Sequence, residues 1–237
     1  MSAIYKRDLK GFFTSPLGYV YVGSFIFVMN LSFYFNNIKP SSPSLFSTFS
    51  FMLLVLVFTT PFLTMRTFSE DLKNKTDQLL FTAPVRLTDI ALGKFLAAYS
   101  VFVSIMILTL FWPLVISVFG TANSAEIIGS YVAFLAIAAA YIAIGVFISS
   151  LTENQIVAAV GSLGVFVVMY LIDFAKTTFA PAMPSWLSKA IGFISIFGRF
   201  NKISYGIFSI ADIFFYLSVC AVFLFLTIRV LEKKRWG

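Results

Sequence analysis

The chain has no histidine and a single cysteine, Cys220. Without histidine there is no imidazole to act as general base, as the commonest metal ligand or as a proton switch near neutral pH. One cysteine excludes an internal disulfide and any cysteine-cluster metal site. Charge is scarce too: Lys, Arg, Asp and Glu make up 11% of the residues, against about 25% in an ordinary soluble domain. The shortage is uneven, and its distribution decides the class.

No Lys, Arg, Asp or Glu occurs in residues 17–38, 45–65, 95–125, 127–152 or 154–172, and residues 203–228 carry only Asp212. A helix needs about 20 apolar residues to cross the hydrocarbon layer. A charge at its centre costs about 2.5–3.5 kcal/mol on insertion scales. The pattern predicts an all-α membrane protein with six transmembrane helices, one domain over residues 1–237. The spans are expected at about 17–38, 45–65, 92–119, 127–151, 155–175 and 205–229. The first apolar stretch is longer than the core of a cleavable signal, so that span should be retained.

Six spans put both termini on one side. With the termini inside, the inner segments hold twelve basic residues and the outer ones five. The positive-inside rule then predicts cytoplasmic N- and C-termini in the cell (inner or plasma) membrane. The net charge of +7 therefore reads as topology. No basic stripe stands on a soluble surface, so no nucleic-acid partner is expected.

Residues 2–16 read as an amphipathic elbow helix on the membrane surface. Tyr5, Leu9, Phe12 and Phe13 fall on one face with Lys6, Arg7 and Lys10 beside it, and Pro16 breaks the helix. Pro61 and Pro113 should kink spans two and three, as static bends in preference to hinges. On the outer side, residues 176–203 exceed a connector's length. Pro181 and Pro184 precede Trp186, Leu187, Ala190, Ile191, Ile194 and Phe197 at helical spacing, a short interfacial or re-entrant helix before the last span.

The inner segment between spans two and three mixes acids (Glu70, Asp71, Asp77, Asp89) with bases (Arg66, Lys73, Lys75, Arg86, Lys94). It also keeps an apolar cluster, Leu79, Leu80 and Phe81, closed by Pro84. Antiparallel helices need only a few linking residues, so this surplus has the makings of a docking surface. Thr88 or Asp89 is expected to cap the next helix. The second inner turn, residues 149–155, carries Glu153 and no base; alone it reads as a polar hairpin turn.

Chemistry-bearing motifs are missing. There is no G-x-x-x-x-G-K-[ST] run, since Gly93-Lys94 lacks the earlier glycine and the hydroxyl residue, so the chain has no P-loop. Asp173 and Asp212 lie near the outer ends of their helices, within reach of water, and are expected to be structural or gate-lining. Asn30 is expected to make an interhelical hydrogen bond.

Two inner segments together resemble a family. Met65-Arg66-Thr-Phe-Ser-Glu70-Asp71, then Lys75-Thr76-Asp77-Gln78-Leu79-Leu80-Phe-Thr-Ala83-Pro84-Val85 and Leu92-Gly93-Lys94, is similar to the first cytoplasmic loop of ABC-2-type transporter permeases. Ile148-Ser149-Ser150-Leu151-Thr152-Glu153-Asn154-Gln155 is similar to the second. The likeness covers the whole chain and is nearest to permeases labelled gliding-motility-associated.

The resemblance implies a membrane permease subunit, an exporter of an amphiphilic or hydrophobic substrate and not itself an enzyme. ATP and Mg would be bound by separate cytoplasmic ABC ATPase subunits. Further implied partners are a second permease copy or a related permease, an accessory membrane protein with an extracytoplasmic domain, and membrane lipid. The family's coupling loop maps to residues 66–91, with Arg66, Glu70, Asp71, Lys73, Thr76, Asp77, Leu79, Leu80 and Pro84 as ATPase-coupling residues. A smaller contact maps to Leu151, Thr152, Glu153, Asn154 and Gln155. Transmitting force needs a stiff knob with apolar anchors and flanking charges, which this loop supplies.

Rival readings differ in what they require. An ion-gradient-driven secondary transporter calls for acids near the midplane and internal repeats or broken helices there, whereas the acids here are peripheral. A non-transporting scaffold or immunity protein would use the loops only to recruit partners. An intramembrane protease needs catalytic ionisable residues within the membrane, and these are missing from the spans.

Overall fold

The computed structural model describes residues 1–76, 85–120, 123–179, 192, 195–206 and 209–236. Every regular element among them is a helix. The elbow comes first. Helix α1 (Ser2–Thr14) ends at Ser15, which is extended (φ −90°, ψ 141°), and Pro16 opens α2 (Pro16–Phe33). The Ser15 hydroxyl accepts from the Gly18 amide at 3.2 Å, capping α2. Gly18 is needed there, because a Cβ would collide with the Phe12 carbonyl oxygen.

Helix α2 runs on as a π-helical turn, Tyr34–Ile38. Next come α3 (Phe46–Thr64), α4 (Ser69–Lys73), α5 (Leu87–Leu108), α6 (Trp112–Ile116) and α7 (Ser124–Leu151). The chain continues with α8 (Gln155–Phe179), α9 (Phe197–Ser204) and α10 (Ile210–Trp236). Six segments are long and apolar enough to cross a membrane: Pro16–Ile38, Phe46–Lys73, Leu87–Ile116, Ser124–Leu151, Gln155–Lys176 and Ile210–Arg235. The all-α, six-span class holds.

Helix α7 is the centre of the bundle, packed by α3, α5, α8, α9 and α10. Its sequence explains this. Ala138, Ala140, Ala143 and Gly145 are small and buried, and small residues let membrane helices approach closely. A Cβ at Gly145 would strike the Thr64 hydroxyl of α3. Aromatic rings fill the remaining core. Trp112 stacks on Phe33 at 4.5 Å, and Phe49 meets Tyr131 and Phe134 at 5.0 and 5.2 Å.

Three local expectations change. Span three is not one kinked helix: α5 ends at Leu108 and α6 begins at Trp112, with Pro113 in its first turn. The break at Thr109 is tolerated because the Tyr131 hydroxyl donates to the Thr109 carbonyl at 2.7 Å. Helix α5 starts at Leu87 with Arg86 at its N-cap, not Thr88 or Asp89, and Asp89 sits in the first turn beside the positive dipole end. The elbow's inward face is also shifted. Ile4 is buried and Leu9 and Phe12 pack on the core, whereas Phe13 is exposed. This face rests on α5, with the Tyr5 hydroxyl 3.0 Å from that of Ser100. Of the outer apolar series, Phe197 opens α9; Pro181, Pro184, Trp186, Leu187, Ala190, Ile191 and Ile194 lie outside the described residues.

Candidate functional site

Helix α4 is short but well matched to its dipole, with Glu70 and Asp71 in the first turn and Lys73 in the last. Arg66 reaches Glu70 with two parallel bonds, Nε to Oε2 at 2.7 Å and Nη2 to Oε1 at 2.9 Å. Such bidentate pairs fix geometry as well as charge. The Thr76 hydroxyl donates to Asp71 Oδ1 at 2.8 Å, and its amide donates to the Asp71 carbonyl at 3.0 Å. Lys75, at φ 56°, makes the turn between them.

Lys94 joins this helix to the bundle. Only 3% of its side chain is exposed, yet its ammonium meets Asp71 at 2.5 Å and Asp8 at 3.2 Å. It also donates to the Thr67 carbonyl and stands 5.0 Å over the Phe68 ring. Arg7 adds a second cation, 2.7 Å from Asp8 and 3.2 Å from Asp71. Burial alone would lower the Arg7 pKa, but the two carboxylates outweigh it and raise it above its ordinary value. Two cations and two acids from α1, α4 and α5 thus balance in one cluster. Beside it lies a cavity of about 280 Å³, lined by Phe12, Arg66, Glu70 and Asn74 among others.

A second link runs through Ser149, near the end of α7 and fully buried. Its hydroxyl accepts from the amides of Phe68 and Ser69, both at 3.1 Å, and donates to the Met65 carbonyl at 3.1 Å. The Ser69 hydroxyl donates back to the Ser149 carbonyl at 3.0 Å. Three backbone groups at the end of α3 and start of α4, and the Ser69 hydroxyl, are thereby satisfied by one residue of the central helix. Lys234 of α10 donates to the Ser150 carbonyl at 2.9 Å, placing a cation at the negative end of α7.

The second inner turn follows at once. Leu151 is exposed at the tip, Thr152 is extended, and the Thr152 hydroxyl accepts from the Asn154 amide at 3.2 Å. Asn154 Oδ1 accepts from the Ile156 amide at 2.9 Å, starting α8, while Glu153 projects outward and Gln155 is half-buried. Of the residues assigned to the first loop, Arg66, Glu70, Asp71, Lys73 and Thr76 sit together on this surface. Asp77, Leu79, Leu80 and Pro84 lie outside the described residues.

The polar residues within the spans act as helix contacts. Asn30 Oδ1 accepts from the Trp112 indole at 3.3 Å, an interhelical bond. Asp173 and Asp212 are buried. Asp173 accepts from the Ile196 and Phe197 amides at 3.2 Å, and Asp212 pairs with Arg199 at 2.6 Å. Among the described residues no group of His, Cys, Asp or Glu could hold a metal.

The sequence pattern gives no role to Asp8, Ser69 or Ser149 individually, and presents Arg7 only as an elbow base and Lys94 only as a loop base. One signal was available: Lys94 is the last charge before the uncharged run 95–125, and a cation drawn into an apolar helix needs acids. Ser149 falls in the segment similar to the second loop, but nothing there marks it apart from Ser150.

A family model described as ABC-2 family transporter protein matches residues 22–236. No curated protein matches the chain.

Proposed function

The chain belongs to the ABC-2 transporter family and is an ABC-type permease, the membrane component and not the ATPase; from that premise we propose that it exports an amphiphilic or hydrophobic substrate, driven by separate cytoplasmic ATPase subunits that press on residues 66–91. Both termini face the cytoplasm of the cell membrane. A second contact lies at residues 151–155. A second permease copy or a related permease completes the translocation path. The likeness to gliding-motility-associated permeases adds no narrower cargo.

The observation that carries this reading is the Ser149 clamp. It ties the first inner segment to the end of α7, directly before the second. Lys94 ties the same segment to α5 and the elbow. A push on α4 therefore reaches the central helix through short hydrogen bonds, not through a slack loop. Because a ligand shifts a conformational equilibrium only through differential affinity, the ATP-bound partner must prefer one arrangement of this unit.

The test replaces Leu79 and Leu80 by Asp in the complex purified from native membranes. The expected result is loss of the copurifying ATPase, or ATP hydrolysis no longer answering to added amphiphile. Unchanged assembly and unchanged transport in that double variant would overturn the assignment.

A further inference from the structure

The end of the bundle away from the two termini departs from the charge pattern of the rest. Of the five basic residues outside the inner segments, four fall between residues 176 and 202, and the fold gathers three of them. Lys176 lies in the last turn of α8, Arg199 and Lys202 are on α9, and Asp212 is in the first turn of α10. With Ser195 and Gly198 they line a cavity of about 360 Å³, within the range of small-molecule pockets, about 300–1,000 Å³.

The charges in this cavity do not cancel. Arg199 pairs with Asp212 at 2.6 Å and lies over the Phe215 ring at 4.1 Å. That pair is neutral overall, and it fixes the plane of a guanidinium fork. Asp173, the other acid nearby, accepts from backbone amides at the start of α9. Lys176 and Lys202 make no ion pair among the described residues. The Lys176 ammonium is held close to the chain at Gly192, where an added Cβ would lie 3.0 Å from it. Two like charges converging at a membrane boundary repel each other unless an anion joins them.

We propose that this cavity binds the phosphate of an anionic headgroup. Two ammoniums on one cavity suit phosphate as point charges, with the Arg199–Asp212 pair fixed beside them. Basic pockets between membrane helices hold anionic headgroups by the same means. The excess of two lysines selects net negative charge, so a phosphodiester balanced by its own cation is a poor ligand. The site stands apart from the ATPase contact, and its assay needs neither ATP nor partner, so its failure and the failure of the coupling reading are separate results.

The experiment places the full chain in nanodiscs of equal phosphatidylglycerol and phosphatidylcholine and reads retained lipid by native mass spectrometry. Retention of phosphatidylglycerol should be favoured about tenfold or more, the scale of one hydrogen bond to a charged group. K176Q/K202Q should bring the ratio close to one, and K176R/K202R should keep it. Inorganic phosphate is then added: displacement of the lipid identifies soluble phosphate as a ligand of the same site, and resistance identifies the lipid headgroup. No phosphatidylglycerol preference in the unaltered chain, or the same preference in K176Q/K202Q, overturns the proposal.

Discussion

Lys94 is nearly enclosed while its two partner carboxylates, Asp8 and Asp71, retain 15% and 18% exposure. Lys94→Met takes from Asp71 its nearest countercharge and leaves Arg7 as the one cation of the cluster for both acids. Breaking a fully buried pair costs about 3–5 kcal/mol, and the partial exposure here lowers the expected loss to a few kcal/mol. Thermal unfolding in detergent measures it, and Lys94→Met combined with Asp71→Asn should recover part of the loss. If the double variant is no better than the single one, the cluster is not held together by charge. Ser149→Ala removes the acceptor of two amides at once, an effect of about 1–3 kcal/mol. Hydrogen exchange at Phe68 and Ser69 should quicken, with little change in α2. Ser149 could not be singled out from the sequence, because its partners lie 80 to 84 positions away; Lys94 showed only as the last charge before an apolar run, with its acids 23 and 86 positions away.

Among the helices, α7 owes its central place to residues without bulk. Gly145→Ala forces a Cβ onto Thr64 and should cost about 1–3 kcal/mol, read as a lower unfolding midpoint. Gly164→Ala in α8 meets nothing within 4 Å; it should be neutral or slightly stabilising, since alanine favours helix over glycine. Equal effects at the two positions would contradict the packing described for α7. The spans themselves were legible in the sequence, since the bilayer excludes charge over a fixed length whatever the neighbours do. The break after Leu108 was not. It depends on Tyr131, a residue of another helix, donating to the freed Thr109 carbonyl. The elbow was legible at Pro16; of its expected inward face Leu9 and Phe12 pack on the core, while Ile4 is buried and Phe13 is exposed.

At the scale of the whole molecule, coupling requires that α4 and the segment around it face the cytoplasm and move with the bundle. The loop motif is legible in the sequence, whereas its linkage to α5 and α7 is visible only in the fold. Cys220 is the sole thiol and is buried, so Cys220→Ser gives a clean background for a single reporter. Asn74, exposed just beyond α4, is the reporter position. Asn74→Cys should resist a membrane-impermeant thiol reagent in intact cells and react fully in inside-out vesicles. Reaction in intact cells would put the loop on the far side of the membrane, out of reach of any cytoplasmic motor.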